Sequence, residues 1–195
     1  MTDFPLATWR GRDGSRLQIR AIRPDDAPAL AGLFAGLDPL ARRRRFHGAV
    51  NGLSPQRLRE LARAPSHVDT VLVATATQDG RETLVAEARC VADARGSAAE
   101  FALVVAAAWR REGIARRCLQ ALRHAAADHG LHWLYGHVLA DNGPMLALLS
   151  RCGFSVSPHR GDASLVVAEA HCEAAAPTAP RRPHRHLRIF HAFTR

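Results

Sequence analysis

Apolar residues along the chain follow two patterns, short continuous runs typical of strands and helical spacing typical of amphipathic helices. Both patterns occur in residues 98–122, where the apolar run Phe101–Trp109 predicts a buried strand. After a polar segment at residues 110–113, here called the elbow, apolar residues return at helical spacing between Ile114 and Leu122. This segment is therefore predicted to be a strand, a tight turn and a helix.

The same criteria predict the other elements, including short hairpins and helices that begin at Ser-Pro and Asp-Asn-Gly-Pro. The predicted strands are Trp9-Arg10, Leu17–Ile22, Thr70–Thr77, Thr83–Val91, Leu131–Leu139, Ser155–Ser157 and Ala163–Ala168. The predicted helices begin near Pro24, Arg42, Ser54, Ile114 and Asn142. Neighbouring strands joined by short turns are antiparallel, and here they lead into a strand–helix unit. This order predicts an α/β (α+β) domain with a mixed sheet.

The elbow carries candidate binding chemistry, because successive backbone N–H groups and a helix N-terminus together form an anion site. Gly113 allows the backbone to approach a ligand closely. Four arginines, Arg110, Arg111, Arg116 and Arg117, crowd the helix start, where basic side chains oppose the helix dipole. A bound polyanion would relieve this conflict, whereas the alternative is a solvated basic helix start.

Two motifs give the chain a family resemblance. Arg110-x-x-Gly113-x-Ala115 resembles the Gln/Arg-x-x-Gly-x-Gly/Ala signature of the GNAT superfamily of acyl-CoA N-acyltransferases. Asn142-x-x-Met145-Leu146, followed by Gly153-Phe154, is similar to a second segment of that family. The resemblance covers about Leu17 to Glu169 and implies the GNAT fold, a mostly antiparallel mixed sheet of about six to seven strands with about four helices.

The resemblance also implies a co-substrate, acetyl-CoA, and the residues that hold it. In the family, the amides of this loop hold the pyrophosphate of coenzyme A, the preceding strand lies along the pantetheine arm, and the asparagine contacts the arm or the acceptor. The expected acetyl-CoA-binding residues are Leu103, Val104, Val105, Arg110, Arg111, Glu112, Gly113, Ile114, Ala115, Arg116, Asn142 and Met145. Asn142 is also suited to cap the helix that follows it.

Glu100 is the expected general base. Acetyl transfer requires a deprotonated amine, and a lysine amine with a pKa of about 10.4 is mostly ammonium at neutral pH. The phrase Ala99-Glu100-Phe101-Ala102 is similar to one in bacterial protein lysine acetyltransferases, whose Glu at this place is regarded as the base. Glu87 is the second candidate for the base. The structural alternative for Glu100 is a surface carboxylate that pairs with an arginine. Many GNAT enzymes carry a tyrosine acid where this chain has Leu149, so the general acid is unassigned.

Charge raises a competing hypothesis, because clustered arginines bind nucleic acid and the net charge is +9. All 27 basic residues are arginine. Much of the net positive charge is local, however, because residues 174–195 contain five arginines and no acidic residue. The remainder is mildly basic, so nucleic acid is not the expected partner. The run Arg42–Arg45 is expected to be a solvated helix face with one arginine buried along its stem, and contact with an acidic acceptor or protein surface is the alternative.

Composition along the chain also predicts the domain boundaries, the state of the cysteines and the location of the protein. A GNAT domain at residues 1–173 and a basic tail at residues 174–195 are expected. Cys90, Cys118, Cys152 and Cys172 are scattered, which predicts buried reduced thiols and no metal site. No targeting or membrane-spanning pattern is apparent, so a cytoplasmic bacterial enzyme is expected, and a homodimer is left open.

The function predicted is direct acetyl transfer from acetyl-CoA to a primary amine, with a protein lysine favoured as the acceptor. A small-molecule amine N-acetyltransferase is one alternative. A non-enzymatic acyl-CoA-binding sensor is the other, and it would bind acetyl-CoA without depending on Glu100.

Overall fold

The computed structural model describes residues 6–47, 53–63, 66–94 and 96–173, and the predicted tail lies outside them. The strands are Ala7–Arg10 (β1), Arg16–Ala21 (β2), Thr70–Gln78 (β3), Arg81–Ala92 (β4), Ala98–Val105 (β5), Trp133–Leu139 (β6), Ser155–Pro158 (β7) and Leu165–His171 (β8). The α-helices are Ala27–Ala35 (α1), Pro39–Phe46 (α2), Pro55–Leu61 (α3), Ile114–Asp128 (α4) and Gly143–Arg151 (α5).

The strands form one eight-stranded sheet in the order β1-β2-β3-β4-β5-β6-β8-β7. Every neighbouring pair is antiparallel except β5 and β6, which are parallel. The predicted fold class, a mixed and mostly antiparallel sheet with helices, is therefore confirmed. The eight strands correspond to the eight predicted from the residue pattern and exceed the six to seven that the family resemblance implies.

The predicted strand Phe101–Trp109 is wrong at its C-terminal end. Pairing with β4 stops at Val105, and Ala107–Trp109 forms a 3-10 turn. The N–H of Ala106 still donates to the carbonyl of Val85 at 2.9 Å, after which the chain turns away. Continuous apolar character does not mark the point where strand pairing ends, which explains the error.

The two faces of the sheet support two hydrophobic cores. Helix α4 buries Ile114, Cys118, Leu119 and Leu122 against one face. Helices α1, α2 and α3 cover the opposite face, where their apolar residues pack against strand residues such as Val73. Fully burying a leucine contributes roughly 1.5–3 kcal/mol, so these two cores hold the helices on either side of β5.

The cysteines only partly match the expectation. Cys90 and Cys118 are buried, and burial raises the pKa of their thiols to about 11 and about 12, respectively. Cys152 and Cys172 are half-buried, so the prediction of buried thiols is wrong for these two. None of the helices in the described ranges has the length and apolar character needed to cross a membrane.

Candidate functional site

A cavity of about 900 Å³ lies between α2, β5, the elbow and the start of α5. It extends from the elbow, where Gly113 and Ala115 line it, to the far end of β5, where Glu100 and His137 line it. The expected binding residues Leu103, Val104, Val105, Arg110, Arg111, Gly113, Ile114, Ala115, Arg116, Asn142 and Met145 all line this one cavity. The fold thus brings together predicted binding residues separated by up to 42 positions in the sequence.

The cavity opens where β5 and β6 separate. These strands pair only from Ala98 to Glu100, although β6 continues to Leu139 beside β8. The ring of Phe101 lies over Gly136 of β6, where an added Cβ would lie 2.6 Å from the ring. Because Gly136 has no side chain, the ring of Phe101 can pack directly over the backbone of β6 at the point where the strands diverge.

The separated edge of β5 presents backbone donors to the cavity. Ala106 N–H bonds to β4, and N–H directions alternate along a strand. The N–H groups of Val105 and Leu103 therefore point away from β4, towards the gap left by β6. These donors are suited to polarise a carbonyl placed along the strand.

The elbow presents a second set of backbone donors. No group in the described part of the chain accepts a hydrogen bond from the N–H of any residue from 111 to 115. Arg111 and Gly113 have φ angles of 68° and 76°, which turn the chain sharply before α4. A Cβ at Gly113 would collide with the guanidinium of Arg117. The elbow is therefore an open cradle of amides at a helix N-terminus, the arrangement expected of a diphosphate site.

The β1–β2 hairpin braces the elbow from outside. The indole Nε1 of Trp9 donates to the carbonyl of Glu112 at 3.2 Å, and the guanidinium of Arg117 lies 4.5 Å from the centre of the indole. The Glu112 carboxylate accepts the backbone N–H of Arg12 at 3.0 Å. Glu112 thus faces the hairpin and does not line the cavity, unlike the other predicted binding residues.

Glu100 lies on β5 at the opposite end of the cavity, with its side chain 48% exposed. Its Oε1 lies 2.8 Å from Nδ1 of His137, which is on β6 and also lines the cavity. His47, at the end of α2, lines the same end, and partial desolvation together with the nearby His137 lowers its pKa. Sequence reasoning missed both histidines; the available signal was a histidine on the strand after the elbow helix.

Glu87, the second candidate base, has a different environment. Its side chain is fully buried and does not line the cavity. It pairs with Arg45, whose Nη2 is 3.0 Å away, and with Arg89. The pair with Arg45 holds α2 against β4, whereas Arg89 lies on β4 itself. The carboxylates among the described residues that line the cavity are those of Glu100 and Asp38, and Asp38 pairs with Arg110 at 3.4 Å.

The arginine run on α2 is not uniformly solvated. Arg43 is 53% exposed, as expected of a solvated face, and it pairs with Asp141 at 3.4 Å. Arg44 and Arg45 line the cavity, and the side chain of Arg45 is only 8% exposed. Arg42 donates to the carbonyls of Phe34, Ala35 and Leu37 and so closes the end of α1. The burial of Arg45 agrees with the one buried arginine that was expected, whereas the expectation of a solvated face is wrong for Arg44.

The start of α5 forms another wall of the cavity. Asn142 occupies the N-cap position, but its side chain makes no capping hydrogen bond. It lines the cavity with Met145, so the expected capping role is wrong and the amide is available to a ligand. Leu149, at the position where related enzymes carry a tyrosine acid, is fully buried. Among the described residues, no tyrosine lines the cavity.

These features together suit acyl transfer from a long thioester to an amine. Free elbow amides and the arginines beside them fit a diphosphate, the β5 edge fits an extended amide-containing arm, and Glu100 with His137 can take up a proton. The residues present therefore fit the acetyl-CoA that sequence analysis implies.

Comparison with known proteins agrees with this geometry. Residues 41–154 match the model of a family described as "Acetyltransferase (GNAT) family". The GNAT domain of S. lividans PAT superposes with a TM-score of 0.75 at 22% identity, covering 87% of this chain and 99% of that one. A putative acetyltransferase from Salmonella typhimurium, yncA, solved with acetyl-CoA, gives a TM-score of 0.62 at 20% identity, covering 84% and 98%. A cAMP-binding acyltransferase from Mycobacterium smegmatis gives a TM-score of 0.57 at 21% identity, covering 91% of this chain and 50% of that one.

Proposed function

The chain belongs to the GNAT family of acetyltransferases, and we propose that it moves an acetyl group from acetyl-CoA directly to a primary amine at the end of the cavity beside Glu100. The observation that carries this proposal is the continuity of one cavity from the free elbow amides to the Glu100–His137 pair. One bound thioester can therefore meet the donors at one end and the proton acceptor at the other.

In the proposed binding mode the diphosphate of acetyl-CoA contacts the amides of residues 111–115, with Arg110, Arg111 and Arg116 beside it. The pantetheine arm runs along the β5 edge, where the N–H groups of Leu103 and Val105 are directed. A backbone N–H that contacts the thioester oxygen stabilises the negative charge of the tetrahedral intermediate, an effect typically worth about 10²–10³ in rate. Asn142 and Met145 form the wall on the α5 side.

The proton leaves the acceptor amine through the Glu100–His137 pair. Because Nδ1 of His137 is engaged by Glu100, Nε2 is the ring nitrogen open to accept a proton from the ammonium. The neutral amine attacks the carbonyl carbon, the nitrogen of the tetrahedral intermediate loses its second proton to solvent, and the carbon–sulfur bond breaks. Coenzyme A leaves as a thiolate, which takes up a proton from solvent. General base help of this kind typically contributes about 10²–10⁴ in rate. Glu100 alone, without His137, is the simpler version of the same step.

Two acceptor classes remain, each with an observation in its favour. A protein lysine is supported by the Ala99–Ala102 phrase and by the half-exposed Glu100, which a side chain on another protein can approach. A small-molecule amine is supported by the arginines that line the acceptor end of the cavity, which provide a site for a substrate's own charged group. Both acceptors use the same transfer chemistry.

The proposal is tested by measuring free thiol released from acetyl-CoA by purified protein. The acceptors are lysine-containing peptides and a panel of small amines, with acetyl-CoA affinity measured separately by calorimetry. Amine-dependent thiol release that requires Glu100 supports the transferase. Tight acetyl-CoA binding without thiol release in the presence of any amine would instead make the protein a sensor.

A further inference from the structure

Three guanidinium groups line the end of the cavity beside Glu100: those of Arg44, Arg45 and Arg89. The side chains of Arg45 and Arg89 are only 8% and 11% exposed. Within the described ranges both are paired with the single carboxylate of Glu87. One negative charge therefore faces two buried positive charges, and Arg44 adds a third.

Arg44 lacks a counter-ion of its own. Its Nε is buried without a hydrogen-bond partner, and no carboxylate in the described part of the chain lies within ion-pair distance of its guanidinium. A buried donor without a partner costs about 1–3 kcal/mol, and a charged one more. A ligand anion at this point would satisfy the donor and balance the excess charge.

The position of Arg44 along α2 separates it from the diphosphate cradle. Asp38, before the first residue of α2, pairs with Arg110 of the elbow at 3.4 Å. Arg44 lies six residues further on, about 9 Å along the helix axis at 1.5 Å per residue. It lies three residues before His47, whose pKa is affected by both His137 and Glu100. Arg44 therefore belongs to the acceptor end.

The sheet register places Arg89 at the same end. Glu100 of β5 is opposite Val91 of β4, and Arg89 is opposite Ala102. Arg89 and Glu100 are thus diagonal neighbours on one face of the sheet, where Cα atoms lie about 7–8 Å apart. An amine beside Glu100 and an anion on Arg89 are therefore separated by only a few covalent bonds, the size of one small molecule.

The geometry points to a small primary amine that carries its own carboxylate or phosphonate group as the acceptor, with the anion on Arg44 and Arg89 and the amine beside Glu100. This inference rests on the proposed transfer reaction and selects the second of its two acceptor classes. The acid group fixes the orientation of the amine, and a neutral amine of the same length lacks that contact.

The first experiment compares matched acceptors. Amino acids and aminophosphonates with two to six carbons are each paired with an amine of the same length without the acid group, and thiol release from acetyl-CoA gives kcat/KM. We expect the acidic member of the best pair to exceed its neutral partner at least tenfold. Equal or better turnover of the neutral amines, or transfer only to lysine-containing peptides, would overturn the inference and leave the transfer reaction standing. Absence of transfer to every amine, including the peptides, would overturn both.

The second experiment uses adjacent arginines of α2 as a matched pair of variants. Arg44→Gln should lower kcat/KM for the acidic amine at least tenfold, mainly through KM, with less than twofold change in the KM of acetyl-CoA. Arg43→Gln should leave all constants within twofold, because Arg43 is exposed and does not line the cavity. Melting temperatures of both variants verify folding. Equal losses for the acidic and neutral amines in Arg44→Gln would refute the anion site.

Discussion

Glu100 and His137 are 37 residues apart in sequence, yet Oε1 of the carboxylate lies 2.8 Å from Nδ1 of the imidazole. The pair forms across β5 and β6 at the point where these strands begin to separate. His159 lies beside it, with its ring centre 5.2 Å from that of His137. The carboxylate fixes the orientation of the ring, so the pair can act as one proton acceptor at the cavity's acceptor end.

Replacing the carboxylate tests this role. Glu100→Gln keeps the size of the side chain but removes its charge, so we expect turnover at neutral pH to fall about 10²–10⁴-fold. Acetyl-CoA affinity should change less than twofold, because the elbow is at the other end of the cavity. Thiol-release kinetics and calorimetry measure the two quantities. Glu169→Gln is the matched control, since Glu169 is an exposed strand carboxylate that does not line the cavity; equal losses in both variants would remove the role of Glu100.

A double-mutant cycle separates a coupled pair from two independent groups. If His137 accepts the proton and Glu100 orients it, His137→Asn and the double variant with Glu100→Gln should lose about the same activity, since the two side chains act as a unit. Multiplied losses would instead mean that the two residues act separately. The pH dependence of kcat/KM in the single variants is measured in the same series, because Tyr135, His47 and His159 also surround the pair.

The elbow glycine offers a matched test of the cradle. Gly113 and Gly153 both have positive φ, 76° and 79°, so alanine at either position costs roughly 1–2 kcal/mol of backbone strain. Only Gly113 lines the cavity, and its new Cβ would also displace the guanidinium of Arg117 beside the elbow. We expect Gly113→Ala to weaken acetyl-CoA binding at least tenfold in calorimetry, and Gly153→Ala to leave it unchanged. Equal affinities in the two variants would contradict the proposed cradle.

The buried pair of Arg20 and Asp26 gives a prediction about stability. Burial acts to raise the pKa of Asp26, but hydrogen bonds from the Arg20 guanidinium, at 2.6 Å and 2.8 Å, and from a backbone N–H outweigh it and lower the pKa. A lowered folded-state pKa contributes stability above the unfolded value of about 3.9, and that stability is lost as the pH falls through the folded value. Asp26→Asn should therefore cost about 3 kcal/mol at pH 7.

The same loss should shrink as the pH falls from about 4 through the lowered pKa of folded Asp26, because the unfolded state binds a proton first and the folded pair is then broken by protonation as well. Urea unfolding at pH 7 and pH 3 measures the difference. Asp25→Asn is the control. Asp25 is next to Asp26 in the sequence but is exposed, so this substitution should change the free energy of unfolding by less than about 0.5 kcal/mol. A loss that is independent of pH would mean that packing, not charge, explains the effect.

Local patterns were sufficient to predict most of the elements. Helical spacing from Ile114 onward predicted α4, and Ser54-Pro55 predicted the start of α3, because caps and periodicity are properties of neighbouring residues. The end of β5 could not be predicted in this way. The end of β5 depends on where the chain turns away from β4, which itself continues to Arg81, and that is a property of the tertiary structure.

The candidate site also contains features that consecutive residues form, which the sequence predicts, and features that distant segments form, which it does not. The elbow was apparent in the sequence because its glycine and arginines are consecutive. The pairing of Glu100 with His137, and the burial of Glu87 between Arg45 and Arg89, depend on strand order and register. Glu112 lies in the motif but faces the hairpin, because the elbow turns its carboxylate towards Arg12. Contacts between distant segments were therefore what the sequence could not supply.

The central claim, that the elbow amides hold the diphosphate of the co-substrate, is tested most directly by calorimetry with acetyl-CoA and with S-acetylpantetheine, which carries the same thioester but no diphosphate. The amides of residues 111–115 predict clear binding of acetyl-CoA and a loss of at least a hundredfold in affinity for S-acetylpantetheine. Similar affinities for the two compounds would contradict it.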